Sequence, residues 1–142
     1  MAESFEQNID KKQKRILIAE DNSVLSDVMR FNLERAGFDV TIAYNGEQAM
    51  HLLVDNTYDL LITDYQMPGL NGAGLCQGIR EQLGLRDLPI LMCSAKGLEL
   101  DTNELQNKFQ VTQVLFKPFS MREIVNQATK LTTSSEPIFQ PD

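Results

Sequence analysis

No hydrophobic stretch in the 142 residues approaches the length needed to cross a membrane, and the first twenty are too polar for a secretory signal. A cytoplasmic location is expected. Positive charge is scarce: 13 Lys and Arg stand against 20 Asp and Glu, a net −7 that disfavours general attraction to nucleic acid or an anionic membrane. The short basic run from Lys11 to Arg15 is the one candidate exception, and it otherwise reads as a solvated lead-in to a strand. Histidine occurs once, at His51, remote from the acidic positions described below, and is expected to be a partly exposed helix residue rather than a phosphohistidine. Cysteine occurs twice, at Cys76 and Cys93, without metal-ligand spacing; both are read as buried reduced thiols, with no disulfide. A Gly-rich turn after the first strand is also missing. The chain has Glu20-Asp21-Asn22-Ser23 there, which excludes the usual dinucleotide-binding loop.

With 42% hydrophobic residues, the chain can build one well-buried core but is too short for two ordinary domains. The apolar runs at 15–19, 59–63 and 89–93 have the near-continuous hydrophobicity of strands covered on both faces, which implies a parallel sheet. Residues 38–43 and 113–116 read as two further strands. Leu25, Val28, Met29, Leu33 and Ala36 recur at three- and four-residue steps and stop before Gly37, so they predict an amphipathic helix with its C-terminal cap. Asn45 can cap a second helix bearing Ala49, Leu52 and Leu53. Further helices are predicted over 73–83 and 98–109. The last is signalled by a Ser120–Glu123 capping box, followed by Ile124, Ala128 and Leu131. Five βα units predict a doubly wound α/β domain over 14–131, with a flexible N-terminal segment at 1–13 and a flexible tail or linker stub at 132–142.

In an open α/β sheet, ligands bind beyond the carboxyl ends of the strands. Glu20 and Asp21 fall there after the first strand, Asp64 at the end of the third, Ser94 after the fourth and Lys117 after the fifth. Converging carboxylates repel one another, and a small hard cation with oxygen ligands, naturally Mg²⁺, resolves the repulsion. The same cation would recruit phosphate oxygens, leaving Asp64 as nucleophile, Lys117 as a mobile point charge and Ser94 as a hydroxyl donor. Each residue also has a plain structural reading. Asp64 could cap a turn before Pro68, Glu20 and Asp21 could favour the next helix dipole, Ser94 could cap a helix, and Lys117 could be a surface lysine. Gly69, Gly72 and Gly74 read as turn residues of a mobile loop, not a phosphate-binding P-loop. The methionines read as scattered core residues.

The segments ILIAEDN (16–22), LLITDYQMPGLNG (60–72), ILMCSAK (90–96) and FKPF (116–119) together resemble the receiver domain of bacterial two-component response regulators, over about residues 14–131. The resemblance implies a flavodoxin-like fold, a five-stranded parallel sheet of order 2-1-3-4-5 with five helices on both faces. It also implies that Asp64 is the phosphoacceptor and that Glu20, Asp21 and Asp64, with the backbone carbonyl of Gln66, bind Mg²⁺. Ser94 and Lys117 would contact the phosphoryl group, and the Lys117–Pro118 bond would be cis. The partners implied are a histidine kinase or histidine phosphotransfer protein upstream, and an output partner or domain reached through the fourth helix, fifth strand and fifth helix. Gln66 and Lys96 flank the path of attacking water and are expected to tune dephosphorylation. Two positions depart from the family: Val114 stands where an aromatic switch residue is usual, and Glu20 where Asp is commoner. Two other readings compete. A Mg²⁺-dependent phosphatase would want a second acid where Gln66 stands, and a receiver-like module that no longer signals by phosphorylation draws its support from Val114.

Overall fold

The computed structural model describes residues 12–95 and 102–133. Five strands, β1 (Arg15–Ala19), β2 (Asp39–Ala43), β3 (Leu60–Asp64), β4 (Ile90–Ala95) and β5 (Gln113–Lys117), alternate with five helices. The helices are α1 (Ser23–Arg35), α2 (Gly46–Asp55), α3 (Gly72–Gln77), α4 (Thr102–Lys108) and α5 (Met121–Thr133). A π-helical turn, Gly78–Gln82, continues α3. Every strand pair is parallel, in the order β2-β1-β3-β4-β5. This is the expected flavodoxin-like arrangement, and its order reverses between β1 and β3.

Alternation along the strands divides the core between the two faces of the sheet. Leu17, Ala19, Leu61, Ile90 and Met92 face one side, where they pack with Ala49 and Leu53 of α2, Leu75 and Cys76 of α3 and Leu105 of α4. Ile16, Ile18, Leu60, Ile62, Leu91 and Cys93 face the other, against Met29 and Leu33 of α1 and Ile124, Ala128 and Leu131 of α5. Both cysteines are free and buried, as expected. No helix among the described residues is long and apolar enough to cross a membrane.

Local chemistry fixes where the helices begin and end. Asn22, Asn45 and Asn71 each follow a strand and turn a side-chain oxygen back onto amides of the first helical turn: Val24 and Leu25, Gln48, and Gly74 respectively. Ser120 and Glu123 form the expected reciprocal capping box, at 2.8 and 3.1 Å. After α1 the chain enters Gly37 at φ 104°, while the Phe38 amide donates to the Leu33 carbonyl at 3.1 Å. That closes a glycine-terminated helix end.

Several expectations need correction. Val28 on α1 and Ala36 just beyond it are exposed while Ser26 is buried, because the buried stripe of α1 runs through Ser26, Met29 and Leu33. The third helix changes to π geometry at Gly78 instead of running as regular helix to Leu83. Gly72 and Gly74 lie inside α3, not in a mobile loop; only Gly69 of the three has a positive φ, 77°. Ser94 and Lys117 are strand residues rather than followers of strands, because the β4–β5 ladder continues through Ser94–Phe116 and Ala95–Lys117. The last helix extends through Thr132 and Thr133, with Thr132 buried, so these two residues belong to the folded unit rather than the expected tail. Lys96 and the expected start of the fourth helix at Leu98 lie outside the described residues, as do the terminal segments 1–11 and 134–142.

Candidate functional site

The crevice at the reversal point collects the residues singled out in the sequence. Glu20 leaves β1 with its amide donating to the Ala43 carbonyl of β2 at 3.0 Å, which turns the chain over the carboxyl edge of the sheet. Its own Oε2 then accepts from the Asn22 amide at 3.0 Å. Glu20 is buried, whereas the adjoining Asp21 is exposed. Asp64, the last residue of β3, is buried and paired in register with Cys93 of β4. The next amide, Tyr65, donates to the Cys93 carbonyl at 2.8 Å, so the strand is anchored to its end.

Lys117 reaches across from the end of β5. Its Nζ lies 2.8 Å from Asp64 Oδ1 and 3.9 Å from Glu20 Oε1, so it bonds the first and only attracts the second. The Lys117–Pro118 peptide is cis, as expected. The Gln66 side chain is exposed, while its backbone amide, close to the Asp64 carboxylate, offsets part of the rise in that carboxyl's pKa. Ser94 is buried one residue beyond the register partner of Asp64, and its hydroxyl donates weakly to the Ala95 carbonyl at 3.5 Å. Asp21, Tyr65, Gln66, Met67, Pro68 and Asn71 line an open depression beside the carboxylates. His51 is exposed on α2, apart from this set.

The charges are poorly balanced. Burial pushes the Glu20 carboxyl up to about 7; the Asn22 amide offsets part of the rise, and the Asp64 charge adds to it. Burial likewise raises Asp64, against the hydrogen bond from Lys117. For Lys117, burial disfavours the ammonium, but the hydrogen bond to Asp64 and the charges of Asp64 and Glu20 outweigh it and hold the amine above its usual range. One lysine therefore serves two buried carboxylates.

That imbalance tests whether a cation fits. One oxygen from each of Glu20, Asp21 and Asp64 lies within 4.8 Å of the others, close enough to share an ion. All three donors are hard carboxylate oxygens, as a small divalent cation prefers, and two are short of compensating charge. The residues can bind a metal.

Parts of the site had no clear signal in the sequence. The Gln66 amide acts through its backbone, which every residue possesses. The Asn22 cap was legible in principle, as an Asn just before an apolar helical pattern. The packing of Leu70 against Gly46 and Gly74 joins residues on separate elements and could not be read from spacing.

Comparison with known proteins agrees with this geometry. Residues 16–129 match the response regulator receiver domain family. Among solved structures, the receiver domain of the Francisella response regulator 1452 is 27% identical, with a TM-score of 0.76, covering 87% of this chain and 100% of that one. The signal receiver domain of a signal transduction histidine kinase from Syntrophus aciditrophicus is similar in fold, with 22% identity, a TM-score of 0.79 and coverage of 91% and 97%. So is the Vibrio cholerae chemotaxis protein CheY4, at 22% identity and a TM-score of 0.77, with coverage of 84% and 99%. With the family matched over most of the chain and the acidic residues gathered at the reversal of a 2-1-3-4-5 sheet, the chain belongs to the response regulator receiver domain family.

Proposed function

We propose that this receiver domain is a phosphorylation-operated switch in which Asp64 accepts a phosphoryl group from phosphohistidine on a histidine kinase or histidine phosphotransfer protein. The observation that carries this reading is the 2.8 Å contact between Lys117 Nζ and Asp64 Oδ1 within the acidic cluster. An Asp64 oxygen attacks phosphorus, the P–N bond breaks, and its electron pair returns to the imidazole. The product is a mixed anhydride on Asp64. Glu20, Asp21 and Asp64, with the Gln66 carbonyl, would hold Mg²⁺, which when bound neutralises charge developing on the phosphoryl oxygens. Lys117 exchanges its carboxylate partner for a phosphoryl oxygen, and the Ser94 hydroxyl supplies a second donor.

Receiver domains are signalling switches, and the chemistry proposed for this one is its own phosphorylation and dephosphorylation. Re-pairing of Lys117 biases an equilibrium between inactive and active arrangements, which a partner reads at α4, β5 and α5. With Val114 at the usual aromatic position, Ser94 and Lys117 carry the change without a ring flip. Gln66 and Lys96 tune water attack on the anhydride, and unchanged phosphoryl lifetimes in variants of both would reject that role. The domain works in the cytoplasm.

The test is intact mass after incubation with Mg²⁺ and acetyl phosphate. The wild type is expected to gain one phosphate, and Asp64→Asn none. A folded, Mg²⁺-binding wild type that stays unmodified by acetyl phosphate and by a phosphorylated histidine phosphotransfer protein would overturn the reading.

A further inference from the structure

The loop that follows Asp64 is held by two glycines on different helices. Its base closes where the Gly72 amide donates to the Tyr65 carbonyl at 2.8 Å, and a β-carbon at position 72 would lie only 2.6 Å from the Asp64 carbonyl oxygen. Near its tip, Leu70 packs between α2 and α3. A β-carbon on Gly46 would lie 2.7 Å from the Leu70 carbonyl oxygen and 2.9 Å from Leu70 Cβ; one on Gly74 would lie 2.7 Å from Leu70 Cδ1. Both distances at Gly46 involve atoms on or next to the backbone, which cannot swing aside as a side-chain tip can. Gly46 opens α2, where its φ is ordinary. Its need for a glycine thus comes from close approach, not from a left-handed backbone.

We infer that Gly46 and Gly74 are positioning residues for the phosphorylation chemistry: by clasping Leu70 they seat the Tyr65–Asn71 loop against the end of β3 that carries Asp64. This rests on the reading of Asp64 as the acceptor. The loop carries the buried Met67 and the wall of the depression beside the carboxylates. A β-carbon at 46 pushes Leu70 and its backbone away from α2, and the displacement runs back along four residues to Gln66. Small misplacements in a phosphoryl-transfer site change rates far more than they change stability.

Gly78 supplies a matched control. A β-carbon there would meet Met50 Cε at 3.0 Å, so it also wedges α3 against α2, but against a flexible side-chain end and away from the loop. Two readouts separate the clasp from the acceptor reading. The first is hydrogen exchange at the Gly72 amide, which closes the base of the loop on the Tyr65 carbonyl, in the unphosphorylated protein. Exchange is expected to speed up on the order of tenfold in Gly46→Ala, by less in Gly74→Ala, and not in Gly78→Ala. The second is the phosphoryl lifetime after loading with acetyl phosphate, expected to change on the order of tenfold in Gly46→Ala and to stay at the wild-type value in Gly78→Ala. Alanine favours helix more than glycine does, so loss of α2 does not explain such changes. Wild-type Gly72 exchange in Gly46→Ala overturns the clasp whether or not the wild type accepts phosphate. Equal effects of Gly46→Ala and Gly78→Ala on exchange, or on the lifetime in a wild type that accepts phosphate, overturn it too. A wild type that takes no phosphate but shows the exchange pattern keeps the clasp and removes the acceptor reading.

Discussion

Two regions of this molecule bury charge, and they compensate it in opposite ways. At Arg80, in the π-helical turn after α3, the guanidinium donates to the carbonyls of Phe109 at 2.9 Å, Leu85 at 2.6 Å and Gln110 at 2.8 Å. Phe109 and Gln110 follow α4, where orphan carbonyls and the negative end of the helix dipole favour a cation. Gln110 there adopts φ 56°. Burial lowers the Arg80 pKa, yet the fork is matched by fixed acceptors, and the result is a tie between the π-helical turn, Leu85 in the segment before β4 and the residues that follow α4. At the carboxyl edge, by contrast, Glu20 and Asp64 share one lysine and remain short of positive charge. A buried charge with all its partners built in is scaffold. One left short of them is poised for a ligand.

The sharpest way to break this contrast is Arg80→Met. Losing the fork strands buried carbonyls, and the expected cost is about 3 kcal/mol, or roughly 10 °C in melting midpoint, with Mg²⁺ binding retained. Thermal unfolding and Mg²⁺ titration check this together, and a variant as stable as wild type would show that the tie is ornamental.

A smaller effect is expected from pH in the presence of chelator. Folded Glu20 binds its proton more tightly than the unfolded chain does, with a pKa near 7 against 4.5, and Asp64 shifts in the same direction. The stability these protonated carboxyls contribute is present at low pH and lost as pH rises from about 4.5 through about 7. Melting midpoints should therefore decline across that window. Added Mg²⁺ should restore stability at its upper end, and Glu20→Gln should flatten the slope while weakening Mg²⁺ affinity. A midpoint that rises steadily across the window, in chelator, would contradict the imbalance.

The smallest effect is expected at the thiols. Burial pushes Cys76 up to about 12 and raises Cys93 as well, with Asp64 adding to the rise at Cys93. Neither should react with iodoacetamide at pH 8 in the native state, and both should react in denaturant, as counted by mass. Native modification of Cys93 would mean that β4 opens beside Asp64, so that the site is less rigid than its surroundings.

The sequence signals were strongest where a feature depends on local pattern. Apolar runs marked all five strands to within two residues at either end, and the Ser120–Glu123 box marked the start of α5. The acidic residues were legible because strand ends in a parallel sheet face one edge, so position along the chain already implied convergence. The exposed faces were less so: Val28 fits a three- and four-residue apolar period, but that period does not say how much of the helix the sheet will cover. Arg80 offered no signal at all, since its acceptors are backbone carbonyls belonging to residues 5, 29 and 30 positions away.

The order of apolar and polar residues therefore determined the layers of this protein, the choice of a parallel sheet and the set of acidic residues along its carboxyl edge. Tertiary structure alone decided which carboxylate Lys117 bonds, how far burial raises Glu20, and which glycines stand against Leu70. Those outcomes depend on differences of about an ångström or less between separate elements, and periodicity along a chain carries no information at that scale.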